Sequence, residues 1–320
     1  MPQAERVVVV LGCGGTIAGR AGRADDHVGY RAGTLAVSDL LAGVPVPTGV
    51  TLQAEQVAQL DSKDMDAATW QRLALRIRHH LARADVAGVV VTHGTDTLEE
   101  TAYFLHRIVA APQPVVLTAA MRPASALSPD GPQNLADAVQ AAADPRLAGV
   151  GVMFNGTLFA AVGLRKVHGY RIDAFQGGEL GPRGVMANGV LQLAPGRPTQ
   201  ALHDAPALAA DPAQWPWVEI VTSGAGARAD VVDALVARGV HGLVLAGTGN
   251  GTLPAAWDDA IWRAVSAGVA LRRASRCQLG GVVDGQADDE SGRPPSVGSL
   301  TAVQARVELM LDLVASRAAA

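Results

Sequence analysis

The sequence predicts an α/β protein with a large N-terminal domain built on a parallel sheet and a smaller C-terminal α/β domain. Three observations predict it. Short runs dominated by Val and Leu alternate with segments of helical periodicity, the signature of a parallel sheet covered by helices. The alternation lapses once, over a stretch rich in Pro and Ala, and then resumes. The chain has 320 residues, 49% of them hydrophobic, which is ample for two cores, and its 36 glycines and 18 prolines follow no repeat period and so mark turns.

Arg6–Leu11 opens the series as a buried strand, nearly continuous in Val. Helix Ala67–Arg83 comes next, followed by strand Gly88–Thr92, helix Thr97–Val109, strand Val115–Thr118, helix Gln133–Ala143 and strand Val150–Phe154. Within Thr97–Val109, the residues Leu98, Thr101, Ala102, Leu105, Ile108 and Val109 fall on one face. Its start is marked twice, because Asp96 precedes Glu99 by three residues and Thr97 precedes Glu100 by three, and either pair fits a capping box. The pattern fades across Leu193–Trp215, which reads as an interdomain linker, so the expected division is 1–192, linker 193–214, and 215–320. The second part carries strand Val218–Thr222, helix Ala229–Arg238, strand Gly242–Ala246, and helices Leu253–Ala267 and Thr301–Ser316. By strand count it is about half the size of the first.

The formal net charge is −4, with 18% charged residues, so the chain carries no electrostatic footprint for nucleic acid or an anionic membrane. Cys13 and Cys277 cannot form a disulfide framework, and neither stands at zinc-site spacing from other cysteines or histidines. The apolar run Val7–Leu11 is far below signal-peptide or spanning length, which makes a cytoplasmic protein the expectation.

Ligands of open α/β sheets bind beyond the carboxyl ends of the strands. Three polar, Gly-rich segments stand there: Gly12–Gly19 after the first strand, Thr92–Thr97 after the Gly88 strand, and Ala119–Pro123 after the Val115 strand. The first is not a dinucleotide fingerprint, since counting from Gly12 places Ile17 at the sixth position and counting from Gly14 places Thr16 at the third. On its own the segment reads as an ordinary tight turn. In the second, Thr95 and Asp96 lie where strand passes into helix, a position suited both to N-capping and to holding a polar ligand. His93 reads as a packed strand-end residue, since no nucleophile-elbow motif accompanies it.

GGTIAG after the first strand, together with THGTDTLEETAYFL, resembles the bacterial-type L-asparaginase family. The resemblance continues in order through Tyr30, Asp61–Met65, Ala120–Pro123, Asp130–Leu135, Asn155–Thr157, Arg165-Lys166, Ala246–Gly251 and Ser299–Arg306, so it spans nearly the whole chain. It implies hydrolysis of the side-chain amide of L-asparagine to L-aspartate and ammonia through a threonine acyl-enzyme. Thr16 matches the nucleophile, assisted by Tyr30 from a mobile flap. Thr95, Asp96 and Lys166 match the second catalytic group. Gly15, Asp61, Ser62, Lys63, Thr95, Asp96 and Ala120 fall on substrate-binding positions, with Ser62 and Asp96 meeting the α-carboxylate and α-ammonium. Charge matching supports the role of Asp96, because an ammonium calls for a carboxylate acceptor.

The resemblance further implies a homo-oligomer, a dimer or tetramer with sites completed across subunits, and requires no metal or organic cofactor. The sequence departs from the family pattern at Lys63 and Thr252, and in Gly280–Pro295, where Asp284 and Glu290 both qualify as the acidic residue donated to a neighbouring subunit. These departures leave asparagine versus glutamine preference open, with a broad-specificity glutaminase-asparaginase as the alternative. A subunit supplying ammonia to an amidotransferase usually carries an added N-terminal domain, whereas here the first strand opens the sequence. A reading from another class, an amino-acid sensor with an impaired site, is opposed by the joint presence of Thr16, Thr95, Asp96 and Lys166.

Overall fold

The computed structural model describes residues 6–195, 206–285 and 293–319. The chain divides into two units at Leu208/Ala209.

The first unit opens with β1 (Arg6–Gly14), α1 (Val37–Leu40), β2 (Val50–Leu60), α2 (Ala67–Leu81) and β3 (Val86–Thr92). It continues with α3 (Leu98–Ile108), β4 (Pro114–Thr118), α4 (Gly131–Ala143) and β5 (Gly149–Phe154). Short strands β6 (Thr157–Ala160), β7 (Arg165–Lys166), β8 (Phe175–Gln176), β9 (Gly184–Ala187) and β10 (Val190–Leu193) complete it, with α5 (Pro206–Ala209) at the boundary. The main sheet runs β10-β9-β6-β5-β4-β3-β1-β2. Its β2-β1-β3-β4-β5 portion is the expected parallel sheet, and β6, β9 and β10 extend it antiparallel, so the whole sheet is mixed.

The physical reason lies in two Asn-Gly turns. Asn155-Gly156 and Asn188-Gly189 all have φ between 47 and 74°, the pair of left-handed residues that a two-residue hairpin requires. They fold β5 onto β6 and β9 onto β10 in register, where a helical crossover would have kept the strands parallel.

β1, β3 and β4 are buried almost throughout because both faces of the parallel sheet are covered. One covering helix, α4, packs Leu135, Ala138, Val139 and Ala142 among Val8, Val10, Val90 and Val116. The approach is close enough that a β-carbon on Gly88 would stand 2.2 Å from the Ala142 carbonyl oxygen. β2 lies at the sheet edge and alternates polar with apolar residues, so it carries none of the continuous Val/Leu signal of its neighbours. The order β2-β1-β3 makes the crevice between β1 and β3 a topological switch point, where open α/β sheets bind ligands.

The predicted capping boxes do not form. Thr97 is the N-cap of α3 without a side-chain cap, and its hydroxyl instead donates to the Ser62 carbonyl at 2.8 Å. Of the expected linker 193–214, residues 196–205 lie outside the described residues; Pro206–Ala209 is a helical turn, and Ala207 is buried with its carbonyl accepting from Gln71.

The second unit holds β11 (Val218–Thr222), α6 (Asp230–Ala237), β12 (Gly242–Gly247), α7 (Asp258–Ser266), β13 (Ala270–Ser275) and α8 (Ala302–Ala319). Its three strands are parallel in the order β11-β12-β13. Trp257, Val232, Leu243, Leu245 and Ile261 form its core, and the Trp257 indole N–H is satisfied by the Ala227 carbonyl at 3.0 Å. The helix expected from Leu253 starts only at Asp258, because Pro254 precedes a single 3-10 turn, Ala255–Trp257.

Candidate active site

The loops after β1 and β3 meet. A β-carbon on Gly15 would lie 2.4 Å from the Gly94 Cα, so the two main chains touch where any other residue would hold them apart. Gly15 has φ 81° and donates its N–H to the Leu60 carbonyl at 2.9 Å, tying the loop to the end of β2. Gly33 returns the chain by donating to the Gly15 carbonyl at 3.1 Å. Between these anchors Thr16 begins a short 3-10 turn and is buried.

The segment from Arg20 to Arg31 leaves and re-enters through mutual main-chain hydrogen bonds between those two residues, making a flap. Tyr30 on its return side shares a 2.6 Å hydrogen bond between its hydroxyl and that of Thr16. Burial raises the Tyr30 phenol above its ordinary value while the Thr16 bond opposes it, so at neutral pH the phenol keeps its proton. Two hydroxyls in contact can pass a proton in either direction.

Lys166, on the two-residue β7, donates from Nζ to Thr95 Oγ1 at 2.9 Å and to the Asp96 carboxylate at 2.5 Å. The predicted second group, Thr95, Asp96 and Lys166, is therefore brought together. Thr95 is buried, whereas about half of the Asp96 side chain is exposed, at 54%, which leaves it accessible to a solute. Ser62 is 1% exposed, and its hydroxyl accepts from the Asp96 N–H at 3.2 Å. A β-carbon on Gly94 would strike that hydroxyl at 2.5 Å. Gly15, Ser62, Thr95 and Asp96 thus belong to one contiguous patch with Thr16.

Ala120 is fully buried and stands near Ile17, the residue after Thr16, since a β-carbon on Gly131 would lie 2.9 Å from Ile17 and 3.4 Å from Ala120. Lys63 follows Ser62 in the short turn Ser62–Asp64. Its ammonium is held by Asp61 at 3.1 Å and Asp64 at 2.8 Å, and the side chain is mostly exposed. These bonds, Asp64 first, raise its pKa and keep it charged.

His93 is completely buried, its Nδ1–H donating to the Gly94 carbonyl at 2.7 Å, and burial pushes its pKa down to about 4. It stays neutral in the core, as its strand-end reading implies. Burial pushes the Cys13 thiol up to about 12, so no thiolate nucleophile is present beside Thr16 at neutral pH.

In the sequence Glu99 reads only as a capping partner. Its carboxyl faces the main-chain N–H of Lys166 and the side chains of Arg165 and Lys166. Burial, with Glu100 adding to it, pushes Glu99 up to about 7 against those favourable groups. An acidic residue in the first turn after an Asp-Thr pair was the visible signal, but its partner lies some 65 residues downstream. Asp284 lies in the second unit, bonded to Arg273 at 3.2 Å and to the Ser296 hydroxyl; Glu290 lies outside the described residues. The loop before Thr252 is clamped there by reciprocal bonds between the Asn250 carboxamide and the Val283 main chain at 2.8 and 2.7 Å. Among the described residues no group of three or more His, Cys, Asp and Glu could hold a metal ion, and no helix is long and apolar enough to cross a membrane.

Residues 7–197 match the family model described as asparaginase, N-terminal, and residues 217–319 match the glutaminase/asparaginase C-terminal domain. The chain is 36% identical to L-asparaginase 2 of Escherichia coli, with 97% of this chain and 89% of that protein covered. It is 34% identical to the probable periplasmic L-asparaginase of Haemophilus influenzae, again over 97% and 89%. The solved structure of the probable cytoplasmic L-asparaginase from Campylobacter jejuni superposes with a TM-score of 0.88 at 33% identity, covering 96% of this chain and 95% of the other.

Proposed function

The chain belongs to the bacterial-type L-asparaginase family, and from that premise we propose how its own residues hydrolyse asparagine. The enzyme is an amidohydrolase acting on the side-chain amide of L-asparagine. Thr16 Oγ attacks the amide carbon, and its proton passes through the Tyr30 hydroxyl to the departing nitrogen, which leaves as ammonia. Water then attacks the β-aspartyl ester, and the bond from the acyl carbon to Thr16 Oγ breaks. The proton lost by the water returns to Thr16 Oγ by way of the Thr95 hydroxyl, which Lys166 orients, so that aspartate leaves and the threonine is regenerated. Main-chain groups of Thr95 and Ala120 meet the scissile amide, where donors stabilise the oxyanion. Ser62 and the exposed Asp96 carboxylate receive the α-carboxylate and α-ammonium, with Gly15, Asp61 and Lys63 lining the same patch.

The observation that carries this reading is the Gly15–Gly94 contact, which makes a single site from the Thr16–Tyr30 and Thr95–Lys166 pairs. The reading places the enzyme in the cytoplasm as a homo-oligomer whose sites are completed across subunits. Ammonia release measured separately on asparagine and glutamine tests it: turnover of asparagine, lost in Thr16→Ala, is expected. Absence of turnover on both amides overturns the enzyme reading in favour of a sensor, and a Thr16→Ala variant of near-normal rate overturns the nucleophile.

A further inference from the structure

Asp130 stands at the N-cap of α4 but does not cap it. An Asp in that position ordinarily accepts from its own helix. Here its two oxygens reach back to the loop after β4 instead, accepting the Met121 N–H at 3.0 Å and the Arg122 N–H at 2.9 Å. One turn along α4, Asn134 is 2% exposed, and its Nδ2 donates to the Ala119 carbonyl at 2.9 Å and to Asp130 at 3.2 Å. The orientation of this carboxamide is itself determined, because its Oδ1 accepts the N–H of Asn155 at 3.0 Å, at the first left-handed residue of the β5–β6 turn. Three of the motifs legible in the sequence, Ala119–Pro123, Asp130–Leu135 and Asn155–Thr157, converge on these two side chains.

The consequence falls on Ala120. Peptide groups are planar and trans, so the N–H and C=O of one unit point in opposite directions. Asn134 holds the carbonyl of the unit joining Ala119 to Ala120, which aims the Ala120 N–H away from Asn134. Asp130 holds the N–H of the unit joining Ala120 to Met121, which aims the Ala120 carbonyl away from Asp130. Both polar groups of Ala120 are thus directed from outside, one by a carboxamide and one by a carboxylate.

We propose that Asp130 and Asn134 are positioning residues that aim the main chain of Ala120 at the reacting amide, and thereby set how well the leaving nitrogen is held. This rests on Ala120 being a substrate contact, as the proposed function has it. The aim matters because donors and acceptors at a reacting centre act only when preorganised. In Asp130→Asn one oxygen becomes an NH2 group, and the single remaining acceptor cannot serve the Met121, Arg122 and Asn134 donors together. In Asn134→Ser the hydroxyl is too short to reach Ala119 and Asp130.

The test compares kcat on L-asparagine with kcat on L-aspartic β-hydroxamate, which differ in leaving group, in the same preparation of each variant. The inhibition constant of L-aspartate, which lacks the amide nitrogen, is measured alongside. Both variants are expected to lose about tenfold or more in kcat on asparagine and to shift the ratio of the two rates about threefold or more. The aspartate constant stays within about twofold. A loss of folded protein moves neither the rate ratio nor the constant. An unchanged ratio, or an aspartate constant that rises in step with the loss of rate, overturns the proposal. Melting of both variants below the assay temperature also overturns it, by making the pair a structural element only. If the unmodified enzyme releases no ammonia from asparagine, the functional reading fails first and the inference with it, a result distinct from active enzyme with an unchanged ratio.

Discussion

Gly15 and Gly94 face each other across the switch point so closely that a β-carbon on the first would sit 2.4 Å from the Cα of the second. Gly15 also has φ 81°, a backbone region that costs an L-residue about 1–3 kcal/mol. Gly15→Ala therefore combines strain with a main-chain collision, and the chain relieves both by moving the Thr16 loop away from Thr95. Expected is a folded protein whose kcat on asparagine falls about 100-fold or more, since displacement by about 1 Å costs rates of that order. Circular dichroism and ammonia release on the same sample check it.

The Thr16–Tyr30 bond makes a different prediction. Tyr30→Phe removes the hydroxyl and leaves the ring over Gly19, so the flap keeps its packing while Thr16 loses its proton partner. A loss of about 100-fold in kcat is expected, typical of a positioned acid-base group. Burial raises the phenol pKa, so Tyr30 is protonated at both pH 6 and pH 8. The ratio of wild-type to variant rates is then the same at the two pH values, and a ratio that changes markedly between them contradicts the assigned protonation state.

Much of this candidate site is legible because two of its threonines follow buried strands. Thr16 and Thr95 follow β1 and β3, whose continuous Val runs announce themselves, and the glycines around them mark the close approach. β2 was not legible, since as an edge strand it is studded with Gln, Glu and Thr and its one covered face gives only a weak alternation. The hairpins of β6, β9 and β10 have strands of only four residues, yet their Asn-Gly turns stood in plain view. Asp96 shows the other kind of difficulty. Local spacing predicted a capping box, but a cation 70 residues away took the carboxylate. Tertiary partners of polar side chains are invisible to a local pattern, and for the same reason the convergence of Asp130 and Asn134 on Ala120 emerged only with the fold.

Glu55 on β2 is the clearest acid-sensitive element. Its carboxylate takes both Arg76 nitrogens, at 2.6 and 2.9 Å, and His80 Nε2 at 2.7 Å. The Arg76 bond foremost, with His80 assisting, pushes its pKa down to about 2 against the burial that opposes it. A depressed carboxylate stabilises the fold fully above its unfolded value and loses that contribution as pH falls from about 4.5 through about 2. Glu55→Gln is expected to cost about 1–2 kcal/mol at pH 7, in the range for a hydrogen-bonded charged group near the surface. Urea unfolding at pH 7 and pH 3 checks it, because the gap between wild type and variant narrows at the lower pH.

Glu99 carries the opposite sign. Its pKa is raised to about 7, chiefly by burial, so between about 4.5 and 7 the folded protein holds a proton that the unfolded chain has released. Stability contributed by this group therefore declines as pH rises through that window and is constant above it. Glu99→Gln keeps the shape of the side chain without the charge, so the variant is expected to be more stable than wild type at pH 8. The gain is about 1–2 kcal/mol after allowance for partial solvent screening, and at pH 4 the two proteins unfold alike. The carboxyl also lies against the main-chain N–H of Lys166 and near its ammonium, and both favour the charged form of Glu99. Loss of that charge alters the field at Lys166, so kcat on asparagine is expected to change its pH dependence between pH 6 and 8 while KM stays within about twofold. Thermal melts at pH 4 and pH 8, with rate profiles across pH 6–8, separate the two effects. A variant that is stabilised but has an unaltered profile leaves Glu99 as a stability element without influence on Lys166.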